Sequence, residues 1–300
     1  MPTTLETATK EYPVHYSTAK IENLDVFYRD AGPKDAPVIL LLHGFPTSSN
    51  MFRNLIPRLA GTFRVIAPDL PGFGLTTMPN HKEFSYTFQN LMNFVDGLME
   101  NLSLARYSLY VMDYGAPVGY RLALRHPERV QALIVQNGNA YDEGLREFWD
   151  PIKKYWNDAT PQNRDGIRFL VEPKSTKWQY ENGVSDKSLL DPTTWMLDQL
   201  GLDRPGNDEI QLDLFYDYRT NVPLYPEFQA FFRKFQPPTL IVWGKNDFIF
   251  PAEGAVPYGR DLKNLETHML DTGHFALETH AAEIASRIHE FLKKNGIARD

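Results

Sequence analysis

Five short, nearly uninterrupted apolar runs recur along the chain, and stretches with helical periodicity separate them. Such runs are typical of strands that are buried on both faces of a parallel sheet covered by helices. Apolar residues also recur at helical spacing over residues 88–99 and 284–292, the second ending before Asn295-Gly296. The sequence therefore predicts an α/β fold with a doubly wound, mostly parallel sheet. The predicted strands are 38–42, 64–67, 107–111, 132–135 and 240–243.

The alternation of apolar runs with helical stretches stops between residues 138 and 232, where proline, aspartate, asparagine and aromatic residues replace the strand-like runs. We interpret 138–232 as an inserted helical lid and residues 1–137 with 233–300 as the core domain. An aromatic lid would exclude water from a site beneath it, although most of these rings are expected simply to pack the lid onto the core. Four of the five tryptophans lie in this segment: Trp149, Trp156, Trp178 and Trp195.

Charge and composition exclude several functional classes. With 31 basic and 38 acidic residues the net charge is −7, and no basic cluster is present, which argues against nucleic acid and anionic membranes as partners. The absence of cysteine excludes disulfides, thiolate metal sites and a catalytic thiol. No apolar run approaches the ~20 residues that cross a bilayer, and no signal-peptide pattern is present. We therefore predict a cytoplasmic monomer or homodimer that acts on a small neutral organic molecule and water.

Asp113, Asp247 and His274 each follow a strand-like segment. Asp113 stands in a sharp turn between the run 107–111 and a helical stretch beginning at Ala116, and Asp247 leaves the end of the run 240–243. His274 lies in a polar loop that follows residues 265–270. Since the carboxyl ends of parallel strands share one sheet edge, we expect the three side chains to meet there. Two carboxylates and a histidine suit nucleophilic catalysis, in which one carboxylate attacks, the histidine acts as a base and the other carboxylate orients the histidine.

Two further motifs, His43-Gly44-Phe45-Pro46 and Asp69-Leu70-Pro71-Gly72-Phe73-Gly74, complete a recognisable pattern. With the three residues above, the chain closely resembles the α/β-hydrolase branch that contains epoxide hydrolases, haloalkane dehalogenases and fluoroacetate dehalogenases. The resemblance covers nearly the whole chain outside the lid. It implies the α/β-hydrolase fold with an eight-stranded sheet.

The resemblance also implies roles for individual residues. Asp113 would be the nucleophile, at the turn where serine is the usual occupant, and would form an alkyl ester with an sp3 carbon. Asp247 would orient His274, which would activate the water that cleaves the ester. The backbone N–H groups of Phe45 and Tyr114 would form the oxyanion hole. Neither a metal nor an organic cofactor is implied.

The lid residues favour epoxides over halides as substrates. Haloalkane dehalogenases place tryptophan after the nucleophile, and fluoroacetate dehalogenases place arginine there, whereas this chain has Tyr114. Tyr218-Arg219-Thr220-Asn221 matches a segment of epoxide hydrolases whose tyrosine donates to the epoxide oxygen. Tyr155 is the predicted second donor, with Tyr141 as the fallback. The predicted substrate-binding residues are Phe45, Tyr114, Trp149, Trp156 and Tyr141.

Other functions stay open at this stage. A dehalogenase would use the same triad, and Trp149 or Trp156 could then supply a halide donor. Enzymes of this fold that hydrolyse esters or carry out cofactor-free oxygen chemistry would normally have serine at the turn or lack the acid nucleophile. A ligand-binding module on the hydrolase scaffold is a further alternative, against which the complete triad argues.

Overall fold

The computed structural model describes residues 12–298, within which eight strands form one sheet. The strands are β1 (Val14–Ile21), β2 (Leu24–Ala31), β3 (Val38–Leu42), β4 (Arg64–Pro68), β5 (Tyr107–Met112), β6 (Val130–Gln136), β7 (Thr239–Gly244) and β8 (Leu265–Leu270). Their order across the sheet is β1-β2-β4-β3-β5-β6-β7-β8. β3 to β8 are parallel to one another, while β2 pairs antiparallel with both β1 and β4. The predicted fold class is confirmed.

The helices cover both faces of the sheet. Those of the core are α1 (Ile56–Leu59), α2 (Phe88–Asn101), α3 (Gly115–Arg125), α10 (Tyr258–Asp261) and α11 (Ala276–Lys294). Every residue of β3 is buried. Leu40 and Leu42 pack with α2 and α3 on one side, whereas Ile39 and Leu41 pack with α1 and α11 on the other. Burial on both faces explains why this strand is a continuous apolar run.

All regular structure between β6 and β7 is helical within the described residues. This segment contains α4 (Asp150–Asn157), α5 (Pro161–Asp165), α6 (Pro173–Glu181), α7 (Pro192–Leu202), α8 (Asn207–Asp217) and α9 (Tyr225–Phe235). It coincides with the stretch interpreted as a lid, although the domain boundaries at 138 and 232 stay a prediction. Among residues 12–298, no helix has the length and apolar character needed to cross a membrane.

The two antiparallel strands were not predicted from the sequence. β1 has several exposed positions, whereas β2 is mostly buried but includes the charged residues Asp25, Arg29 and Asp30. Neither strand therefore forms the continuous apolar run that marks the central strands. The five predicted segments all coincide with strands, namely β3 to β7.

Candidate active site

Asp113 occupies the turn between β5 and α3 in a left-handed conformation, with φ of 51°. Glycine is required on the helical side of this turn, because a Cβ on Gly115 would lie 2.1 Å from the carbonyl oxygen of Leu42. The side chain of Asp113 is thus held at the carboxyl edge of the sheet, where it is 3% exposed. A backbone this constrained fixes the direction of the carboxylate.

The two oxygens of the Asp113 carboxylate have different surroundings. Oδ1 accepts hydrogen bonds from the backbone N–H groups of Phe45, at 2.7 Å, and Tyr114, at 2.6 Å. The backbone of Gly44 lies so close to this carboxylate that a Cβ on Gly44 would be 2.1 Å from Oδ1. Burial raises the pKa of Asp113 to about 6, although the charge of His274 and the two N–H groups lower it.

Oδ2 of Asp113 lies 3.7 Å from Nε2 of His274. This imidazole nitrogen is buried and has no hydrogen-bond partner among residues 12–298. The other nitrogen, Nδ1, lies 2.7 Å from Oδ2 of Asp247. Burial lowers the pKa of His274, but the charge and hydrogen bond of Asp247 and the charge of Asp113 outweigh it, so the net shift is upward. The three predicted triad residues are therefore brought together.

Asn137 holds Asp247 in place and was not identified from the sequence. It follows β6 with φ of 42°, and its Nδ2 donates to Oδ2 of Asp247 at 2.8 Å. Its Oδ1 accepts from the backbone N–H of Gly244 at 2.9 Å. The backbone N–H of Ile249 donates to Oδ1 of Asp247 at 2.8 Å. Both oxygens of Asp247 are thus anchored by donors.

Tyr218 and Tyr114 form an aromatic cover next to Asp113. Their ring centroids are 5.9 Å apart, and Phe88 contacts both. Both hydroxyls are buried and meet no partner in the described chain with the distance and angles of a hydrogen bond, although the hydroxyl of Tyr225 lies near that of Tyr218. Burial raises the pKa of each phenol well above its usual value. The charge of Asp113 raises both pKa values further, and for Tyr218 the contribution of Tyr225 is larger than that of Asp113. Two orphaned O–H donors therefore lie within electrostatic reach of the carboxylate.

The comparisons with known proteins agree with this geometry. Residues 37–281 match the model of the alpha/beta hydrolase fold family. The chain belongs to this family. The uncharacterized hydrolase YNR064C of Saccharomyces cerevisiae is 47% identical over 278 residues, which cover 91% of this chain and 95% of that protein. A haloalkane dehalogenase of Mycobacterium marinum is 40% identical over 131 residues, or 42% of this chain and 44% of that protein.

Solved structures of the same fold extend the likeness to almost the whole chain of this α/β hydrolase. The crystal structure of DBJA gives a TM-score of 0.79 at 21% identity, covering 95% of this chain and 98% of that chain. The haloalkane dehalogenase DbeA of Bradyrhizobium elkani gives 0.76 at 22% identity, covering 95% and 99%. At such identities the likeness shows the shared fold.

The structure does not bring Tyr155 to the active site of this α/β hydrolase. Its hydroxyl accepts a hydrogen bond from Arg164 at 2.9 Å, and its ring packs on Tyr216. Arg164 in turn pairs with Glu209 at 2.7 Å. Since consecutive helical residues point about 100° apart, Tyr155 faces this ionic cluster while the next residue, Trp156, contacts Tyr218. The prediction of Tyr155 as the second donor is corrected accordingly.

Tyr141, the fallback donor and predicted substrate contact, is also occupied elsewhere. Its hydroxyl donates to Oδ2 of Asp261 at 2.7 Å, and its ring packs on Tyr258. This contact ties the start of the helical segment to α10 in the core. Tyr141 therefore has a packing role, and its place in the substrate site stays a prediction.

Trp149 and Trp156 surround Tyr218, but their N–H groups are not available to a ligand. The ring of Trp149 lies 4.4 Å from that of Tyr218, and the ring of Trp156 is stacked on it at 5.9 Å. The indole nitrogens donate to the carbonyl oxygens of Ile249 at 2.9 Å and Phe215 at 2.7 Å. The two tryptophans thus form walls, and the expectation that either supplies a halide donor is corrected.

One group of side chains away from the triad has the spacing of metal ligands. Atoms of Asp96, Glu100 and His126 lie within 4.8 Å of one another. Arg125 donates to Asp96 at 3.0 Å, and Arg129 pairs with Glu100. Because arginines already neutralise both carboxylates, this group is explained as an ion-pair network.

Proposed function

We propose that this α/β hydrolase opens epoxides to vicinal diols, with Asp113 as the nucleophile. The observation that carries the proposal is the pair of buried, unpartnered hydroxyls of Tyr114 and Tyr218 beside that carboxylate. An epoxide oxygen develops alkoxide character as its C–O bond breaks and needs an O–H donor there. Trp149 and Trp156, which would suit a halide, have their N–H groups bonded to backbone carbonyls.

In the first step, Oδ2 of Asp113 attacks an epoxide carbon while the C–O bond of the ring breaks. The N–H groups of Phe45 and Tyr114 hold Oδ1, which keeps the attacking oxygen aimed away from them. The hydroxyls of Tyr218 and Tyr114 donate to the leaving oxygen, and one of them transfers its proton, so that the oxygen becomes the first hydroxyl of the diol and a tyrosinate remains. An alkyl ester of Asp113 results.

In the second step, Nε2 of His274 removes a proton from a water that attacks Cγ of Asp113. Asp247, bonded to Nδ1 at 2.7 Å, stabilises the imidazolium that forms. The charge that develops on Oδ1 is held by the same two N–H groups of Phe45 and Tyr114. Collapse of the intermediate breaks the bond between Cγ and Oδ2, and Oδ2 takes the proton of the imidazolium and leaves as the second hydroxyl of the diol. The second proton of the water restores the tyrosine hydroxyl.

Dehalogenation is the second candidate, because haloalkane dehalogenases match part of the chain at 40% identity. The first step would be the same, with a halide as the leaving group. Its stabilisation would then fall to the tyrosine hydroxyls rather than to indole N–H groups. The two reactions leave different groups on Asp113, and this difference provides the test.

The test is the intact mass of a His274→Gln variant after incubation with styrene oxide, 1,2-epoxyhexane or 1-bromohexane, used separately. Without its base the enzyme should retain the ester, so we expect a mass gain equal to a whole epoxide, mapped to the peptide that contains Asp113. A gain equal to a hexyl group, with no adduct from either epoxide, would favour the dehalogenase. Asp113→Ala in the His274→Gln background is the control and should form no adduct. Absence of any adduct would contradict both reactions.

A further inference from the structure

A cleft of about 320 Å³ opens between the core and the helical segment, at a distance from the chemistry described above. Its core wall comes from the turn after β3 and the loop after β4, and its other wall comes from α7 and the start of α8. None of Asp113, Tyr114, Tyr218 and His274 lines it. The volume lies at the lower end of the range of ligand pockets, roughly 300–1,000 Å³.

Arg29 lines this cleft, and within residues 12–298 no carboxylate lies within ion-pair distance of it. Its Nε donates to Oγ of Ser49 at 3.0 Å and its Nη2 to Oδ1 of Asn50 at 3.1 Å. Both partners are neutral, Nη1 has no hydrogen-bond partner, and no ion pair joins Arg29 to a carboxylate in the described chain. Burial lowers the pKa of Arg29 more than the nearby charge of Asp69 raises it, and this net shift reflects the cost of holding the positive charge there. An anion in the cleft would offset that cost.

Arg204 is a second cation in the wall of the cleft, and it too forms no ion pair within residues 12–298. Its guanidinium donates to the backbone carbonyl oxygens of Gly201 at 3.0 Å, Gly74 at 2.9 Å and Gly72 at 3.4 Å, so each of its three nitrogens has a partner. These bonds fix the arginine at the seam between α7 and the loop after β4. Arg204 therefore adds a positive charge with a defined position.

Two acids also line the cleft, but both are engaged by other groups. The oxygens of Asp69 accept the backbone N–H groups of Ser49 at 2.7 Å and Leu75 at 2.8 Å. Asp198 accepts the hydroxyl of Tyr180, and burial raises the pKa of Asp198 to about 7. Neither acid lies within ion-pair distance of Arg29 or Arg204. In the described chain, Nη1 of Arg29 is thus the cationic donor that a ligand can reach, while Arg204 contributes its charge.

The rest of the lining is apolar and partly open to solvent. Leu75 is 74% exposed and Leu200 is 67% exposed, and Phe27, Phe73 and Leu197 also line the cleft. Large exposed leucines beside cationic donors are the features that bind an aliphatic chain with a charged end. An ionised carboxylate matches the fork of an arginine better than a neutral group does.

We propose that this cleft binds aliphatic monocarboxylates, with the carboxylate on Arg29 and the chain along Leu75, Leu197 and Leu200. Arg204 supports the same anion from the opposite wall. The bound chain contacts both the core and α7, so its occupancy ties the two parts of the molecule together. This binding is independent of the reaction proposed for Asp113.

The experiment compares octanoate with 1-octanol and octylamine, which share its chain but not its charge, by titration calorimetry at about pH 6. At that pH octanoate is ionised and Asp198 is largely protonated. We expect octanoate to bind at least about tenfold more tightly than 1-octanol, and octylamine to bind more weakly still. Octanoate should also raise the Tm, because it binds the folded state.

Variants separate this site from non-specific binding. Arg29→Gln should weaken octanoate binding about tenfold and leave 1-octanol binding unchanged, whereas Arg58→Gln, a matched charge change on α1 outside the cleft, should alter neither. Leu200→Asp changes an exposed residue and should weaken both ligands. Equal affinity for octanoate and 1-octanol, or unchanged octanoate affinity in a folded Arg29→Gln variant, would overturn the proposal.

Discussion

Nε2 of His274 lies 3.7 Å from Oδ2 of Asp113, and no group of the described chain forms a hydrogen bond to it. The two side chains are therefore adjacent without a hydrogen bond between these atoms. Under the proposed reaction, this spacing lets Oδ2 carry an alkyl group while Nε2 stays free to receive a proton from water. Oδ2 of Asp113 would thus react in the first step, and Nε2 of His274 would act in the second.

The two steps should depend differently on pH. Asp113 attacks as a carboxylate and its pKa is about 6, so ester formation should increase as the pH rises through about 6. His274 acts as the neutral base and its pKa is raised above the ordinary 6.5, so ester hydrolysis should reach its maximum only at higher pH. The ester should accumulate more at pH 6 than at pH 8. Acid quenching and intact mass would measure this; equal accumulation at both pH values would contradict the assignment.

Removal of the unpartnered hydroxyls should slow ring opening. Tyr218→Phe and Tyr114→Phe are each expected to reduce the rate of ester formation about 10²-fold, because each deletes an O–H donor to the leaving oxygen. Neither should lower the Tm, since the lost hydroxyl has no partner in the described chain. The matched controls are Tyr155→Phe and Tyr141→Phe, whose hydroxyls contact Arg164 and Asp261. Single-turnover kinetics should leave both controls within about twofold of the wild type; equal effects in all four variants would refute the assignment.

The close approach of Gly44 to the nucleophile predicts a severe effect of a single methyl group. A Cβ there would lie 2.1 Å from Oδ1 of Asp113, so Gly44→Ala must displace the carboxylate from its N–H donors. We expect the rate of ester formation to fall by about 10²–10³-fold. Gly61→Ala is the control, because a Cβ at Gly61 meets nothing within 4 Å. Comparable losses in both variants would show that the effect is not local.

Neutralising the nucleophile should stabilise the fold, and more so at high pH. The pKa of Asp113 is raised from 3.8 to about 6 in the folded protein, so folding favours the protonated form. That favourable contribution is complete below about pH 4 and is lost as the pH rises through 6. Asp113→Asn should therefore raise the free energy of unfolding by up to about 3 kcal/mol at pH 8 and by little at pH 4. Urea denaturation at both pH values would measure this, and a pH-independent difference would contradict it.

The sequence located the triad because each member follows a strand, and strand ends at one edge of a sheet must converge. His274, Asp247 and Asp113 all lie within hydrogen-bond or van der Waals distance of a partner in the triad. Asn137 also follows a strand, but an asparagine before glycine is most simply interpreted as a turn residue. The hydrogen bonds of Asn137 with Asp247 and Gly244 show that it holds Asp247 in place, and they are visible only in the structure.

The residues of the helical segment between β6 and β7 were harder to predict, because their roles depend on which way each helix faces. Tyr155 and Trp156 are neighbours on α4, yet one contacts Arg164 and the other Tyr218. The amphipathic pattern of one short helix does not reveal which neighbour covers which face. Tyr114 was expected to act through its backbone N–H and in substrate binding, and its buried hydroxyl adds a donor that the motif did not indicate.

The unequal surroundings of the two Asp113 oxygens give them different lifetimes under the proposed reaction. Oδ1 is fixed by the N–H groups of Phe45 and Tyr114, so the carboxylate cannot rotate to exchange its two oxygens. Oδ2 leaves with the diol in every cycle, and an oxygen atom from water takes its place. Each molecule of the protein would therefore keep one original carboxylate oxygen throughout its working life while the other is renewed at every turnover.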